Sequence, residues 1–386
     1  PQNRRASVRR LRLSKSSPNL VLNVPSVIQD FAFLHNGQAF PPSMFDYGNI
    51  VLTRPDQEEA LIGATYEAGP AVRLIPGTYD AHWRLGAGAS VPRNEDAKFR
   101  RGLIVNGSPL VIDVPSVEVS GDIRLNGQLP PFSEFDDARL SLAVPNGPDR
   151  AYLGNTRYGA YQIRVVPGRY DVVYEHIVGA ALPGNTRATL VRGWKVAAQP
   201  NRTIDIPVGT YEGAFLLNGE SFPISEFDRG RLDVLPLSRE GSPIDLGMTT
   251  WGLFSRRLLP GLYRTAYTHV VGAGVPANVL TTIRTRPWRV LQGDGPAASA
   301  DTLDVRAAPL TVSYAHNGVP LPQGGAQNAR VHLYRDGSHL QLPDSADGPI
   351  ERIAMEGRFD LYYQYRGGPD LPRNAFMRFG CWDLIQ

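Results

Sequence analysis

The sequence feature that most constrains the fold is a long unit that occurs four times along the 386 residues. Each copy carries an Asn-Gly pair, and successive pairs are separated by 90, 92 and 99 residues. Asn-Gly adopts positive φ readily, so each pair predicts a hairpin or another tight turn. The four pairs begin at Asn36, Asn126, Asn218 and Asn317. Because a unit of this length suffices for a small domain, we expect a tandem array.

A Pro-Gly turn followed by an alternating segment is the second recurring feature. The turn begins at Pro76, Pro167 and Pro260, and Glu356 replaces the proline in the fourth copy. In the first copy the apolar positions of the segment are Tyr79, Ala81 and Trp83, and polar residues separate them. Alternation with a period of two predicts an antiparallel strand that has one face in water.

Similar short segments, with turns roughly every 8 to 12 residues, give about seven strands in each copy. The sequence therefore predicts an all-β protein, a tandem array of four Ig-like or prealbumin-like antiparallel β-sandwich repeats. Extended segments join the repeats without a linker, so we expect a semi-rigid rod. The expected divisions are an N-terminal arm at 1–27, which holds the last strands of an incomplete repeat, and repeats at 28–116, 117–208, 209–307 and 308–386, the last lacking its closing strand.

The N-terminal arm has the sequence of the closing strand that the fourth repeat is expected to lack. Asn23-Val24-Pro25-Ser26-Val27 resembles Asp113-Val114-Pro115-Ser116-Val117, which closes the first repeat and opens the second. We therefore expect head-to-tail self-association into a homopolymer, in which the arm adds a strand to residues 310–386 of the next copy. The alternative is that both ends are cut from a longer repeat array. The expected residues of the self-assembly arm are Leu20, Val21, Leu22, Val24 and Val27.

The sequence shows no motif for catalysis or for a metal. Cys381 is the single cysteine, which excludes an intrachain disulfide framework and a Cys-based zinc site, and it is either unpaired or linked between chains. The histidines lack the spacing of metal ligands, and no nucleophile or phosphate-loop motif occurs. A recurring Ser-x-Phe-Asp sequence ends in Asp46, Asp136 and Asp228, which supply too few oxygens for calcium and suit hydrogen bonding in a turn. We predict no enzyme, no cofactor and no metal site.

The charge distribution gives little reason to expect nucleic acid as a partner. The formal net charge is +3, and six basic residues lie within the first fifteen positions. A basic segment without a nucleic-acid-binding motif is usually a solvated end. No apolar run approaches the roughly 18 residues that a membrane span requires. We therefore expect neither a nucleic-acid partner nor a membrane span.

Two aromatic residues lie in a turn where other copies carry acids. Tyr158 and Trp251 replace Glu67 and Asp347 there, and packing explains these rings less easily. They are candidate contacts for another subunit or for a surface polysaccharide, because exposed rings stack on sugars and on neighbouring chains. The three tryptophans near the ends of repeats are expected in the core: Trp194, Trp288 and Trp382.

The Pro-Gly-x-Tyr turn and the strand after it, at Pro76 to Ala81, Pro167 to Val172 and Pro260 to Thr265, resemble the carboxypeptidase-regulatory-like and collagen-adhesin B-type repeats of bacterial surface proteins. The resemblance implies a prealbumin-like seven-stranded sandwich, a role as stalk or adhesive module, and an extracellular or cell-surface location. Intramolecular isopeptide bonds of that family need a lysine in each domain, and the third and fourth repeats contain none.

These observations lead us to expect a non-enzymatic extracellular structural protein, a semi-rigid rod or filament subunit that adds a strand head-to-tail. The alternatives are a surface adhesin or carbohydrate-binding repeat array, and a segment of a longer stalk.

Overall fold

The structure, a computed structural model, describes residues 23–54, 59–67, 69–197, 201–238, 240–283, 286–293, 300–321, 328–335, 338–347, 349–369 and 371–385. The expected arm residues Leu20, Val21 and Leu22 lie outside these ranges. The chain forms two compact units, Pro1–Ile177 with Thr189–Ile206 and Val178–Ala188 with Pro207–Gln386.

The first repeat, in the first unit, is a sandwich of two sheets. Its elements are β1 (Val27–His35), β2 (Gln38–Ala39), β3 (Tyr47–Thr53), β4 (Glu59–Ala64), the 3-10 helix η1 (Thr65–Glu67), β5 (Ala71–Leu74), β6 (Gly77–Ala87), β7 (Ala97–Val105) and β8 (Leu110–Val114). One sheet has the order β4-β3-β6-β7, and in the other β1 lies beside β2, β5 and β8. All pairs are antiparallel except β1 with β8, which is parallel.

The second repeat, most of which lies in the first unit, follows the same plan. Its elements are β9 (Val117–Leu125), β10 (Asp137–Ala143), β11 (Arg150–Asn155), the 3-10 helix η2 (Thr156–Tyr158), β12 (Ala160–Val165), β13 (Gly168–Val178), β14 (Ala188–Val196) and β15 (Ile204–Ile206). The sheets have the orders β11-β10-β13-β14 and β12-β9-β15, and β15 is parallel to β9.

The third repeat, in the second unit, also carries a parallel closing strand. Its elements are β16 (Gly209–Leu217), β17 (Glu220–Ser221), β18 (Arg229–Pro236), β19 (Ile244–Met248), the 3-10 helix η3 (Thr249–Trp251), β20 (Leu253–Leu258), β21 (Gly261–Val271), β22 (Thr281–Thr282), β23 (Trp288–Val290) and β24 (Ala300–Val305). The closing strand β24 pairs with β16, whose other side pairs with β20.

The fourth repeat keeps one complete four-stranded sheet, β29-β28-β31-β32. Its elements are β25 (Ala307–Val312), β26 (Ala315–His316), β27 (Val319–Pro320), β28 (Asn328–Arg335), β29 (Ser338–Asp344), the 3-10 helix η4 (Ser345–Asp347), β30 (Ile350–Met355), β31 (Gly357–Gly367) and β32 (Met377–Leu384). The opposite side consists of the pair β25-β30 and the small hairpin β26-β27. The protein is thus an all-β chain of antiparallel sandwich repeats, as predicted.

The predicted alternation sets the position of each core. In β6 the side chains of Tyr79, Ala81 and Trp83 are buried between the sheets, while Asp80 and Arg84 are partly exposed on the outer face. The Asn-Gly pairs form the predicted tight turns, with φ near +50° at each asparagine and near +80° at each glycine. Local sequence therefore determines both the strands and the turns between them.

Candidate functional site

In each complete repeat the closing strand completes one of the two sheets. The strand lies parallel beside the second half of the first strand of its own repeat, as β8 does beside residues Phe31 to His35. Its inward side chains are among the most buried of the chain, including Ile112, Val114, Ile206 and Val305. The closing strand therefore contributes buried side chains to the core, although it lies at one side of its sheet.

The fourth repeat has an open groove at this position. Among its described residues, no strand pairs in parallel with the segment 312–316. A cavity of about 550 Å³ lies there instead. Side chains from both sheets line it, including Val312, Tyr314, Leu333, Leu361, Phe379 and Trp382. An apolar cleft that is open between two sheets suits an extended apolar segment.

The groove exposes aromatic side chains that the complete repeats bury. Trp382 is 39% exposed, whereas Trp194, at the equivalent position of the second repeat, is 7% exposed. Tyr363 is half-buried, although the equivalent Trp83 and Tyr174 are fully buried. The expectation of a core tryptophan thus holds for Trp194 and is wrong for Trp382, because no described strand covers that side of the sandwich.

The first strand of the fourth repeat is interrupted beside the groove. Its first half, β25, pairs with β30 just as β1 pairs with β5. Residues 313–314 belong to no strand, and β26 resumes at Ala315. In the other repeats this second half gains its hydrogen bonds from the parallel closing strand. A strand that enters the groove would lie on that same side of the interrupted half.

The groove is lined almost entirely by uncharged side chains. Its titratable lining residues are Tyr314, His316 and Tyr363. Burial raises the pKa of Tyr314 to about 12, and burial also raises the pKa of Tyr363. Both phenols therefore remain protonated under ordinary conditions, and no carboxylate or arginine is among the lining residues. This surface suits an apolar strand better than a charged one.

The two described residues of the expected arm differ in their surroundings, because one lies in β1 and the other precedes it. Val27 lies in β1 and pairs with Leu74 inside the first repeat. Val24 lies before this strand and is 48% exposed, although the equivalent closing-strand residue of each complete repeat is fully buried. Residues 25 and 26 separate the two, as Pro115 and Ser116 separate β8 from β9.

The two predicted turn aromatics are exposed. Tyr158 ends η2, where the Arg157 guanidinium lies 5.1 Å from the centre of its ring and donates a hydrogen bond of 3.1 Å to its hydroxyl. Trp251 ends η3 and packs over Gly247, where a Cβ atom would lie only 2.5 Å from the ring. Both rings thus contact neighbouring residues and are still more than half exposed.

The recurring aspartates make turn contacts. Asp46 Oδ1 accepts the N–H of Ser90 at 3.1 Å, and Asp228 Oδ1 accepts that of Gly274 at 2.7 Å. Among the side chains that the structure describes, no cluster of three acidic, histidine or cysteine residues is placed to hold a metal ion. Cys381 is exposed.

Sequence reasoning missed the role of the asparagine that follows each Pro-Gly block. Asn94 is buried, its Oδ1 accepts the N–H of Val166 at 2.8 Å, and its Nδ2 donates to the Tyr170 hydroxyl at 2.9 Å. Asn278 Oδ1 likewise accepts the N–H of Met355 at 2.7 Å. Each therefore joins one repeat to the next within a unit. The available signal was the constant 18-residue interval between the turn and this asparagine.

Three comparisons place these observations among known proteins. No family model matches the chain, and no curated protein matches it. Among solved structures, the chain is similar to the TIE protein of Bacillus anthracis, with 10% identity and a TM-score of 0.18 over 73% of this chain and 50% of that one. It thus spans half the length of that protein.

Two shorter structures are matched over nearly their whole length. A streptococcal ancillary pilin is 10% identical with a TM-score of 0.20, over 72% of this chain and 99% of the pilin. Two B repeat units of the collagen-binding protein of Staphylococcus aureus are 10% identical with a TM-score of 0.20, over 94% of each chain. The chain's own sheets establish its fold, a series of antiparallel β-sandwiches. No helix within the described ranges is both long and apolar enough to cross a membrane.

Proposed function

We propose that this chain is a non-enzymatic structural subunit of an extracellular or cell-surface filament. Residues 20–24 of one copy enter the groove of the fourth repeat of the next copy and complete its sandwich. The open groove beside 312–316 carries this proposal, because it lies where every complete repeat holds a parallel strand. Assembly of this kind is heterologous and continues from copy to copy.

The sequence of the arm supports its role as the donated strand. Leu20-Val21-Leu22-Asn23-Val24 matches Leu110-Val111-Ile112-Asp113-Val114, the strand β8. Leu22 and Val24 then take the positions of two fully buried residues. Burying a Leu or Val side chain contributes about 1.5–3 kcal/mol, and main-chain pairing adds specificity. Val27 remains in β1 of its own repeat.

A substitution at Val24 tests the proposal. Because Val24 is exposed in the single chain, Val24→Asp leaves the fold unchanged, whereas a charge in the apolar groove opposes insertion. We expect the intact chain to form polymers as its concentration rises, and Val24→Asp to remain a monomer in sedimentation velocity.

Ile104→Asp is the matched control, because Ile104 is an exposed apolar residue of β7 outside the groove. It should polymerise like the intact chain. Polymerisation of Val24→Asp to the same extent would reject strand donation by the arm. A chain that is monomeric at every concentration would favour the alternative, a segment of a longer stalk or a binding array.

A further inference from the structure

The Asn-Gly turns of the complete repeats hold the closing strand as well as reversing the chain. In the first repeat, Asn36 Nδ2 donates to the carbonyl of Ser116 at 3.1 Å, and Asn36 Oδ1 accepts the N–H of Ser116 at 2.8 Å. In the third repeat, Asn218 makes the same two bonds to Ala307, both at 2.8 Å. The asparagine amide thus binds the backbone just after the closing strand as a neighbouring strand would.

The glycine of each turn binds an acidic side chain of the closing strand. Its N–H donates to an aspartate Oδ1 at 2.9–3.0 Å in all three complete repeats. The pairs are Gly37 with Asp113, Gly127 with Asp205, and Gly219 with Asp304. Along the closing strand this aspartate alternates with buried residues. If the closing strand shifted by one residue, an apolar side chain would face the glycine N–H. The contact therefore fixes the register of the strand.

The fourth repeat presents the same turn beside its groove. Asn317 and Gly318 have φ values of +51° and +81°, which match the other three turns. Both residues are exposed, and the hairpin β26-β27 encloses them. In the described part of the chain, neither is bonded to a closing strand. The turn is thus folded in its binding conformation next to an open site.

We infer that Asn317 and Gly318 select the strand that enters the groove and fix its register; this inference rests on the proposed function. By equivalence with β1 and β8, Val312 pairs with Leu20 of the entering copy, and His316 pairs with Val24. Gly318 N–H then donates to the side-chain oxygen of Asn23. The Asn317 amide pairs with the backbone of Ser26, which holds the position of Ser116.

The site therefore recognises an alternating apolar segment that carries Asn or Asp one residue before its end. The three closing strands that the chain supplies to itself all carry Asp there, whereas the arm carries Asn23. A carboxylate accepts a stronger hydrogen bond than an amide oxygen. The arm is thus a weaker ligand than an otherwise identical strand with Asp, which suits a contact made between chains.

The test measures binding of a peptide of residues 19–27 to the full-length Val24→Asp chain, whose groove is intact and which does not self-assemble. We expect titration calorimetry to show tighter binding for the Asn23→Asp peptide and weaker binding for Asn23→Leu, each by roughly threefold to tenfold. In the chain, Asn317→Gly removes the amide while glycine tolerates the positive φ. It should weaken binding on the order of tenfold.

Asn36→Gly is the matched control, because the turn in the first repeat already holds β8. It should lower the stability of the first repeat and leave the peptide affinity unchanged. The inference would be overturned if Asn317→Gly left the peptide affinity unchanged and if the three peptides bound with equal affinity. Strand donation itself would still stand. A peptide that does not bind, or that binds equally well when it carries Val24→Asp, would reject the proposed function itself.

Discussion

At the scale of single residues, a buried asparagine joins consecutive repeats within each unit. Asn94 satisfies the N–H of Val166, which precedes a Pro-Gly turn, and Asn278 satisfies that of Met355. The tyrosine that completes the first contact is replaced by Phe359 in the fourth repeat. Accordingly, Asn278 Nδ2 has no hydrogen-bond partner among the residues that the structure describes. The contact is therefore weaker between the last two repeats.

Replacing Asn94 with alanine should destabilise the first unit. The change leaves a buried N–H without an acceptor, which costs about 1–3 kcal/mol of the free energy of unfolding. Urea unfolding followed by circular dichroism measures the loss. Asn374→Ala is the matched control, because Asn374 occupies the equivalent position in the fourth repeat and is exposed. Equal effects of the two substitutions would contradict a special role for the buried amide.

The same asparagine shows where sequence reasoning stops at this scale. The constant interval identifies Asn94 as a recurring residue, but its partners Val166 and Tyr170 lie more than seventy residues further along the chain. Alternation of apolar and polar residues reports only local structure. The partners of a side chain across two repeats depend on how the strands pack, and that information is not local.

At the scale of strands, the sequence predicts the features that depend on a few neighbouring residues, which are the turns and the buried face of a strand. The turns at Asn36 and at Pro76, and the buried face of β6, follow from neighbouring residues. Comparison of the copies also predicts that 308–386 lacks a closing strand, and among the described residues no strand pairs in parallel with 312–316. The exposure of Trp382 was missed, because a residue of core type is buried only when a second strand covers it. Parallel pairing of the closing strand is likewise a long-range property.

Strand β12 gives a prediction for alkaline pH. Burial raises the pKa of Tyr161 to about 12, and its hydroxyl donates to the carbonyl of Arg202 at 2.6 Å. In the unfolded chain this phenol ionises near its ordinary value of about 10. Its contribution to stability is therefore complete below about pH 10 and is lost as the pH rises towards 12.

Tyr161→Phe removes this dependence. At pH 8 the free energy of unfolding of the unsubstituted chain should exceed that of Tyr161→Phe by about 0.5–1.5 kcal/mol, because of the hydrogen bond. By pH 11 the advantage should fall by about 1 kcal/mol, because ionisation then favours the unfolded chain. Urea unfolding at the two pH values gives both differences. A difference that does not change with pH would show that this phenol does not titrate as its burial requires.

At the scale of the whole molecule, the proposed strand donation would make every copy both a donor and an acceptor. Electron microscopy across a concentration series should therefore show uniform filaments with one chain, and hence four sandwich repeats, per axial repeat. Isolated particles at all concentrations would contradict this expectation. They would direct attention to glycans as ligands of the exposed Tyr158 and Trp251.

The parallel closing strand has a mechanical consequence. In a complete repeat the chain enters at the start of the first strand and leaves at the end of the parallel closing strand beside it. Tension applied through the two ends therefore acts along both strands and loads their hydrogen bonds in shear, together and not one after another. A donated strand in the fourth repeat would carry load in the same way, so each non-covalent junction would resist pulling much as the repeats themselves do.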